Sequence, residues 1–466
     1  MSRDLAELRT LWYMGAKTRL CEEFLDGAVR DLLDPGQTLL DACAGTAAVS
    51  RWFAPTYRIL SNDVQHFSSI VASAHLEGDE SWRNSLDQLD HLQDLGSATE
   101  ENAQWLTNLA PRALDLEDSL LDQVLKEGSG NASDSGAMER YRSFVAQAPI
   151  PHGAGGTSSD EGDAGVHQPL ASRLDDLLYQ RRKSSGGSPA MLCTAYWSHV
   201  YFGLRQSIRI DSIRHAIEAI PSSDPYRERK RAIYLAALLH AVSVSTSGTS
   251  HFAQPRSIAR DPELVAVVKR RKIDIDQQFE LALEAILREW SHHPRLDGNR
   301  VFCSDVQQLL APGSPLDNEE VNLVYLDPPY TADNYSRFYH VLETLVAYDY
   351  PELESRGGSL TKGRYPKQEV RYRSDFCSSV RVEEAFRGVA QACKDRSSRL
   401  LISYSTDTGL LTGRWAKQGE QNPARRFRQL LLEYFGQVEI REKLLMHSGQ
   451  GDSNRSVREL LLLCEE

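Results

Sequence analysis

The sequence holds no run of about 18 apolar residues, so no transmembrane helix is expected. Its start, Met1-Ser2-Arg3-Asp4-Leu5-Ala6-Glu7, carries mixed charge and no apolar core, so no secretory leader is expected there. Cysteine is sparse. The 7 cysteines in 466 residues include no C-x-x-C pair, which argues against a zinc site and against a disulfide framework. They read as free thiols in a reducing cytoplasm. Basic residues are outnumbered, 53 Lys and Arg against 65 Asp and Glu, for a net charge of -12. Such a body does not coat nucleic acid non-specifically, although it allows a local basic groove. Two glycine signatures are also missing: there is no G-x-x-x-x-G-K phosphate loop and no full G-x-G-x-x-G.

What is present centres on Asp327-Pro328-Pro329-Tyr330. The apolar run from Val321 to Leu326 precedes it and reads as a buried strand. Two prolines stop the strand and force the residue before them into an extended conformation. The product is a stiff turn holding a carboxylate, a proline carbonyl and an aromatic ring in fixed relation. In open α/β sheets ligands bind at that strand edge. A carboxylate and a carbonyl can accept both N–H bonds of an exocyclic amino group and draw its nitrogen towards tetrahedral geometry. The ring can stack on the base, worth roughly 1–3 kcal/mol. A base inside a duplex reaches such a pocket only when flipped out. A tight turn after a core strand is the plainer explanation, and the tetrapeptide alone does not decide between them.

The amino-terminal part supplies the first supporting pieces. In Trp12-Tyr13-Met14-Gly15-Ala16-Lys17, two small residues before a lysine permit close backbone approach to a ligand. A helix is expected next, with Leu20, Phe24, Leu25 and Ala28 on one face. The stretch Thr38 to Asp41 reads as a short strand ending in an acid, followed by the small residues Ala42, Cys43, Ala44, Gly45, Thr46 and Ala47. Small residues at a strand–helix turn let backbone N–H groups reach a nucleotide-like ligand. A second strand from Tyr57 ends in Asn62-Asp63. An acid at that point, about 20 residues beyond the first, commonly takes ribose hydroxyls.

In this order the pieces resemble the Dam-like, or alpha-group, adenine-specific DNA methyltransferases. Tyr13, Gly15 and Lys17 match the family's amino-terminal motif, and Asp41 to Ala47 matches its cofactor loop, D-x-F-x-G-[ST]-G. Asp63 matches the acid of its second strand. Phe302 to Val306 looks like the strand end whose acid, here Asp305, precedes the catalytic turn. Asp327 to Tyr330 matches D-P-P-Y in full. Cys43 departs from the usual Phe, and Ala47 from the usual Gly.

The resemblance implies a doubly wound, largely parallel Rossmann-like α/β sheet, closed by an antiparallel carboxy-terminal hairpin and carrying a helical insert. The expected division is 1–75 and 297–466 for the core and 76–296 for the insert, with a disordered stretch near 127–165. The insert would recognise the target. Ser, Thr and His between Ser245 and Phe252 suit base edges. Two basic groups are candidates for strand contact: Lys269 and Arg270, and Lys362, Arg364, Lys367 and Arg371 interleaved with Tyr365 and Tyr372. His340 reads as a helix-surface or capping residue.

The implied activity is methylation of adenine N6 in double-stranded DNA by S-adenosylmethionine, in a restriction-modification or phage-defence setting, with nuclease or defence subunits as further partners. Tyr13, Gly15, Lys17, Asp41, Cys43, Ala44, Gly45, Thr46, Asp63, Asp305 and Val306 would surround the cofactor. Asp327, Pro328, Pro329 and Tyr330 would hold the flipped base, with no metal. Two other readings stay open: an RNA base methyltransferase, and a catalytically weak DNA-binding subunit.

Overall fold

The computed structural model describes residues 17–86, 89–130, 136–149, 166–167, 170, 191–249, 251–406, 408–448 and 454–466. Tyr13, Gly15 and the Gly-rich segment 153–165 lie outside them. The chain divides into two units: residues 1–86, 285–335 and 372–466, and residues 87–284 with 336–371.

The first unit is built on one sheet of β1 (Thr38–Asp41), β2 (Arg58–Asp63), β3 (Arg300–Cys303), β4 (Leu323–Leu326), β5 (Arg399–Ser405), β6 (Gln437–Ser448) and β7 (Asn454–Glu465). Their spatial order is β3-β2-β1-β4-β5-β7-β6. The first five run parallel, and β7 is antiparallel to both β5 and β6. The central strands are apolar on both sides because both faces are covered. Leu40, Val324, Leu326, Leu400 and Ile402 point into one cluster, which the helices Val382–Asp395 and Pro423–Leu431 complete. Their neighbours Leu39, Leu323, Tyr325 and Leu401 point into the other. There the chain from Thr18 to Leu32 is helical throughout, with a π turn over Cys21–Leu25, and it buries Leu20, Leu25 and Ala28 with Phe24 packed alongside. The period-2 alternation is what a doubly wound sheet requires.

Strand order reverses between β1 and β4. Chain on one side of this point builds β2 and β3, and on the other β5 to β7. That reversal leaves a crevice at the carboxyl ends of β1 and β4. Both distinctive stretches of the first unit, 41–47 and 327–330, leave the sheet there.

The second unit is helical. Its main helices are His91–Leu109, Pro111–Gly128, Leu204–Ala219, Arg227–Ser245 and Asp261–Arg271. Pro111 starts the second of these, a position where its missing N–H costs nothing. Glu127 and Gly128 are the last turn of that helix rather than the start of a flexible stretch.

Residues 336–371 pack with this unit and not with the sheet, although they follow the D-P-P-Y turn in sequence and are expected in the core. The amide of Phe252 donates to the carbonyl of Phe338 at 2.8 Å. Arg214 is fully buried, donates to the carbonyl of Leu345 at 2.7 Å, and lies 3.7 Å over the Tyr348 ring. A cation on the last carbonyls of helix His340–Ala347 satisfies groups the helix itself cannot. No described helix is long and apolar enough to cross a membrane.

Candidate active site

The loop after β1 is held by carboxylates. Asp41 is buried, and its Oδ2 accepts from the amide of Ser50 at 3.1 Å and from its hydroxyl at 2.7 Å. This ties the end of β1 to helix Ala48–Phe53. Burial pushes the Asp41 carboxyl up to about 7, against the Ser50 hydrogen bonds that pull it down. Asp63, at the end of β2, accepts from the amide of Gly45 at 2.9 Å through Oδ2 and from that of Gln65 at 2.9 Å through Oδ1. Asn62 ties β1 to the turn after β3, donating to the carbonyls of Ala42 and Ser304, each at 3.0 Å.

Gly45 and Ala47 both adopt left-handed backbone, at φ 55 and 57. This gives the departure at position 47 a physical meaning. Glycine enters that region freely, whereas an L-residue does so at roughly 1–2 kcal/mol. The loop forms with alanine there, and Ala47 is fully buried in the cluster beneath it. Cys43, half-buried, sits where the family usually has Phe. Its thiol is pushed well above the ordinary range by burial, and then by the carboxylates of Asp63, Asp327, Asp41 and Asp305. Four acids therefore surround the small residues of the loop. Asp305 caps helix Val306–Leu310 through the amides of Gln307 and Gln308, and its Oδ2 accepts the Tyr372 hydroxyl. Val306 is buried beneath.

The turn after β4 forms a second cluster. Lys17 reaches both oxygens of Asp327, with Nζ 3.0 Å from Oδ1 and 2.9 Å from Oδ2. The Tyr330 hydroxyl lies 2.9 Å from Asp327 Oδ1, 3.1 Å from Ser403 Oγ, 3.2 Å from Glu459 Oε2 and 3.2 Å from Lys17 Nζ. Its ring meets the edge of Tyr404 at 5.0 Å between centroids. The amide of Leu410 donates to the Tyr330 carbonyl at 2.7 Å and fixes the backbone after the prolines. Burial raises the Asp327 carboxyl above its ordinary range, and the Lys17 ammonium opposes that shift. Burial lowers the Lys17 ammonium, but Asp327 and then Glu459 outweigh it, so the lysine stays charged. The cluster holds two carboxylates and one ammonium.

Lys17, Asp41, Cys43, Ala44, Gly45, Thr46, Asp63, Asp305, Asp327 and Tyr330 thus lie at one edge of the sheet. The first unit brings them together at the strand-order reversal. Ser403 and Glu459 also belong to it, and sequence reasoning does not single them out. The available signal is a glutamate heading the apolar run Leu460 to Leu463 on what reads as a core strand.

The basic residues belong to the second unit and are used differently from one another. Lys269, Arg270, Lys362 and Lys367 are exposed. Arg270 donates to the carbonyl of Val244 at 2.8 Å, and Lys367 pairs with Glu352. Arg364 is turned inward, donates to the carbonyl of Tyr196 at 2.6 Å, and is held down to about 10 by burial. Arg371 pairs with Glu354 at 2.7 Å and is largely covered. Neither presents a free guanidinium. The polar loop from Ser245 is also internal: Ser245, Thr246 and Ser247 are buried, and Ser247 donates to the carbonyl of Tyr201. His251 stacks on Phe338 at 4.7 Å between ring centroids. His340 is buried, not at the helix surface. Its ring nitrogens face the carbonyls of Arg337 and Gly363 at 3.0 Å each, and burial lowers it to about 4.

The strand order, the antiparallel closing pair and the acid-tipped parallel strands define a methyltransferase fold. Residues 196–359 match the family model of the D12 class N6 adenine-specific DNA methyltransferases, and the resemblance read from the sequence is borne out. The chain is 22% identical over 402 residues to the type II methyltransferase M.FokI of Planomicrobium okeanokoites, covering 86% of this chain and 45% of that protein. It is 22% identical over 398 residues to the modification methylase LlaI of Lactococcus lactis subsp. lactis, covering 85% of this chain and 46% of that one. A shorter match, 25% identical over 238 residues, covers 51% of this chain and 58% of the type II methyltransferase M.NlaIII of Neisseria lactamica. The chain spans about half the length of the first two relatives.

Proposed function

We propose that this chain transfers a methyl group from S-adenosylmethionine to N6 of adenine in double-stranded DNA. The observation that carries this reading is the placement of Asp327 and Tyr330, with the acid-lined loop 41–47, at the one edge where strand order reverses. The residues there fit the cofactor. Each oxygen of Asp63 accepts a backbone amide, and a carboxylate oxygen can accept a second hydrogen bond, such as that of a ribose hydroxyl. The side chains of Cys43, Ala44 and Thr46 are small and only half-buried, and the surrounding carboxylates suit a cation. When bound, the cofactor supplies a methyl group on a positively charged sulfur.

The chain's own residues then position the acceptor. The Asp327 carboxylate and the Pro328 carbonyl take the two N–H bonds of the target amino group, so that its lone pair leaves the ring system. Tyr330 offers its ring to the flipped base. Lys17 favours the ionised form of Asp327 against its burial. Asp41 acts at one remove, holding the loop through Ser50. Rate enhancement in such a site comes mainly from alignment. Lys269, Arg270, Lys362 and Lys367 are the candidates for phosphate contact. The relatives, two type II methyltransferases and a modification methylase, support a restriction-modification setting and a nuclease or other defence subunit as partner.

Transfer of labelled methyl from S-adenosylmethionine to adenine-containing duplexes tests the reading. Asp327→Ala leaves the prolines and the ring in place and removes one of the two acceptors. It should cost on the order of a hundredfold or more in rate, with little change in DNA affinity. Transfer at the wild-type rate by this variant would show that the turn is only structural.

A further inference from the structure

The Tyr330 hydroxyl has more partners than it can serve. A phenol carries one proton to donate and accepts through its oxygen. Lys17 can only donate to it, and Ser403 can donate as well. That leaves two carboxylates competing for the single proton: Asp327 Oδ1 at 2.9 Å and Glu459 Oε2 at 3.2 Å. Glu459 is buried on β7, opposite Ser405 of β5, at a place where covering a carboxylate is costly. As the site stands, Asp327 accepts from Lys17 on both oxygens and from Tyr330 on one. Three donors on one carboxylate disperse its charge and weaken it as an acceptor for a fourth.

We infer that Glu459 is a positioning residue: it takes the Tyr330 hydroxyl proton when a target amino group engages Asp327, and so releases Asp327 Oδ1 for that amino group. No covalent step is involved, because the phenol rotates its O–H from one carboxylate to the other and no atom leaves the side chains. The exchange keeps the tyrosine oxygen fixed, since Lys17 and Ser403 still hold it, and therefore keeps the ring fixed beneath the base. The assignment rests on the methyl-transfer reading above. It goes beyond that reading by naming a residue outside the D-P-P-Y turn and outside the matched segment 196–359.

A double-mutant cycle in single-turnover methyl transfer tests it. Glu459→Gln keeps the shape and removes the charge. It should lower the transfer rate by about ten- to a hundredfold, the range for one hydrogen bond to a charged group. Cofactor affinity by calorimetry and the melting temperature should stay near wild type. In a Tyr330→Phe background, which has no hydroxyl to exchange, adding Glu459→Gln should change the rate by less than about twofold. An equal loss in both backgrounds, or no loss in either, overturns the assignment. Should the Gln variant not fold, Glu459→Asp serves, because it keeps the charge but withdraws it by one methylene and should again act only where Tyr330 is present. If the wild-type chain methylates no duplex, the functional reading falls and takes this assignment with it. If the wild type is active and the cycle shows no coupling, only the assignment falls.

Discussion

At the scale of single residues, this chain keeps several acids under cover and uses burial to set their charge. Asp41 is the plainest case, since it is buried, its hydrogen bonds come from Ser50, and desolvation pushes it up to about 7. Its ordinary value is 3.8, so between about pH 4 and pH 7 the folded chain binds a proton at Asp41 that the unfolded chain has released. The stability contributed by this group is therefore full below about pH 4, declines as pH rises through that window, and is level above it. Asp41→Asn cannot ionise and should remove this decline while keeping an acceptor for Ser50. Urea unfolding of both proteins at about pH 5 and about pH 8 should show a loss on the order of a few kcal/mol for wild type beyond that of the variant. Equal slopes with pH would mean that Asp41 is not the buried, proton-binding group described. The same principle separates Asp327 from Asp41: both are covered, but Asp327 has an ammonium against it and, on the proposed function, accepts from a substrate.

At the scale of elements, some of this is legible in the sequence and some is not, for physical reasons. The strands are legible because a doubly covered strand must be apolar in succession, and Leu39-Leu40 and Leu323 to Leu326 are. The D-P-P-Y turn is legible because two prolines leave the backbone little choice. The left-handed turn at Ala47 is half legible, as an unusual residue at a glycine position whose backbone the sequence does not show. Polar side chains give the least, since a buried arginine and an exposed one are spelled alike. Arg364 looks like part of a basic strand-binding loop, yet it is folded inward onto the Tyr196 carbonyl, with its own backbone at φ 52. His340 and Ser247 lie inside in the same way. Arg364→Ala should therefore act on stability, removing a charged donor from the carbonyl of buried Tyr196 at a cost of about 1–3 kcal/mol. The dependence of DNA affinity on salt should not change. A flattened salt dependence with unchanged stability would return Arg364 to the DNA.

At the scale of the whole molecule, the proposed function has to contend with a net charge of -12, which sets the terms on which DNA would be approached. Affinity for a polyanion must come from a few exposed cations on an otherwise repelling body. Replacing Lys269, Lys362 and Lys367 together by Ala should weaken duplex binding and flatten its salt dependence. The log–log slope should fall by roughly 0.9 for each phosphate that is no longer neutralised. Fluorescence anisotropy over a salt series measures this, and an unchanged slope would place the phosphate-binding groups elsewhere. The division of the chain bears on a different question, how the helical unit could be exchanged. The helical unit is not one cassette. The polypeptide enters it at 87, leaves at 284, returns at 336 and leaves again at 371, and the D-P-P-Y turn lies in the interval between the two visits. The two segments complete each other, as Phe252 with Phe338 and Arg214 with Leu345 show. A single recombination event that replaced 87–284 with a relative's counterpart would strand the old 336–371 against a foreign surface. The resemblance read from the sequence implies that the helical unit chooses the target, and on that reading changing it by exchange calls for two coordinated splices on either side of the untouched D-P-P-Y turn. On the same reading, point substitution is the easier route to a new target.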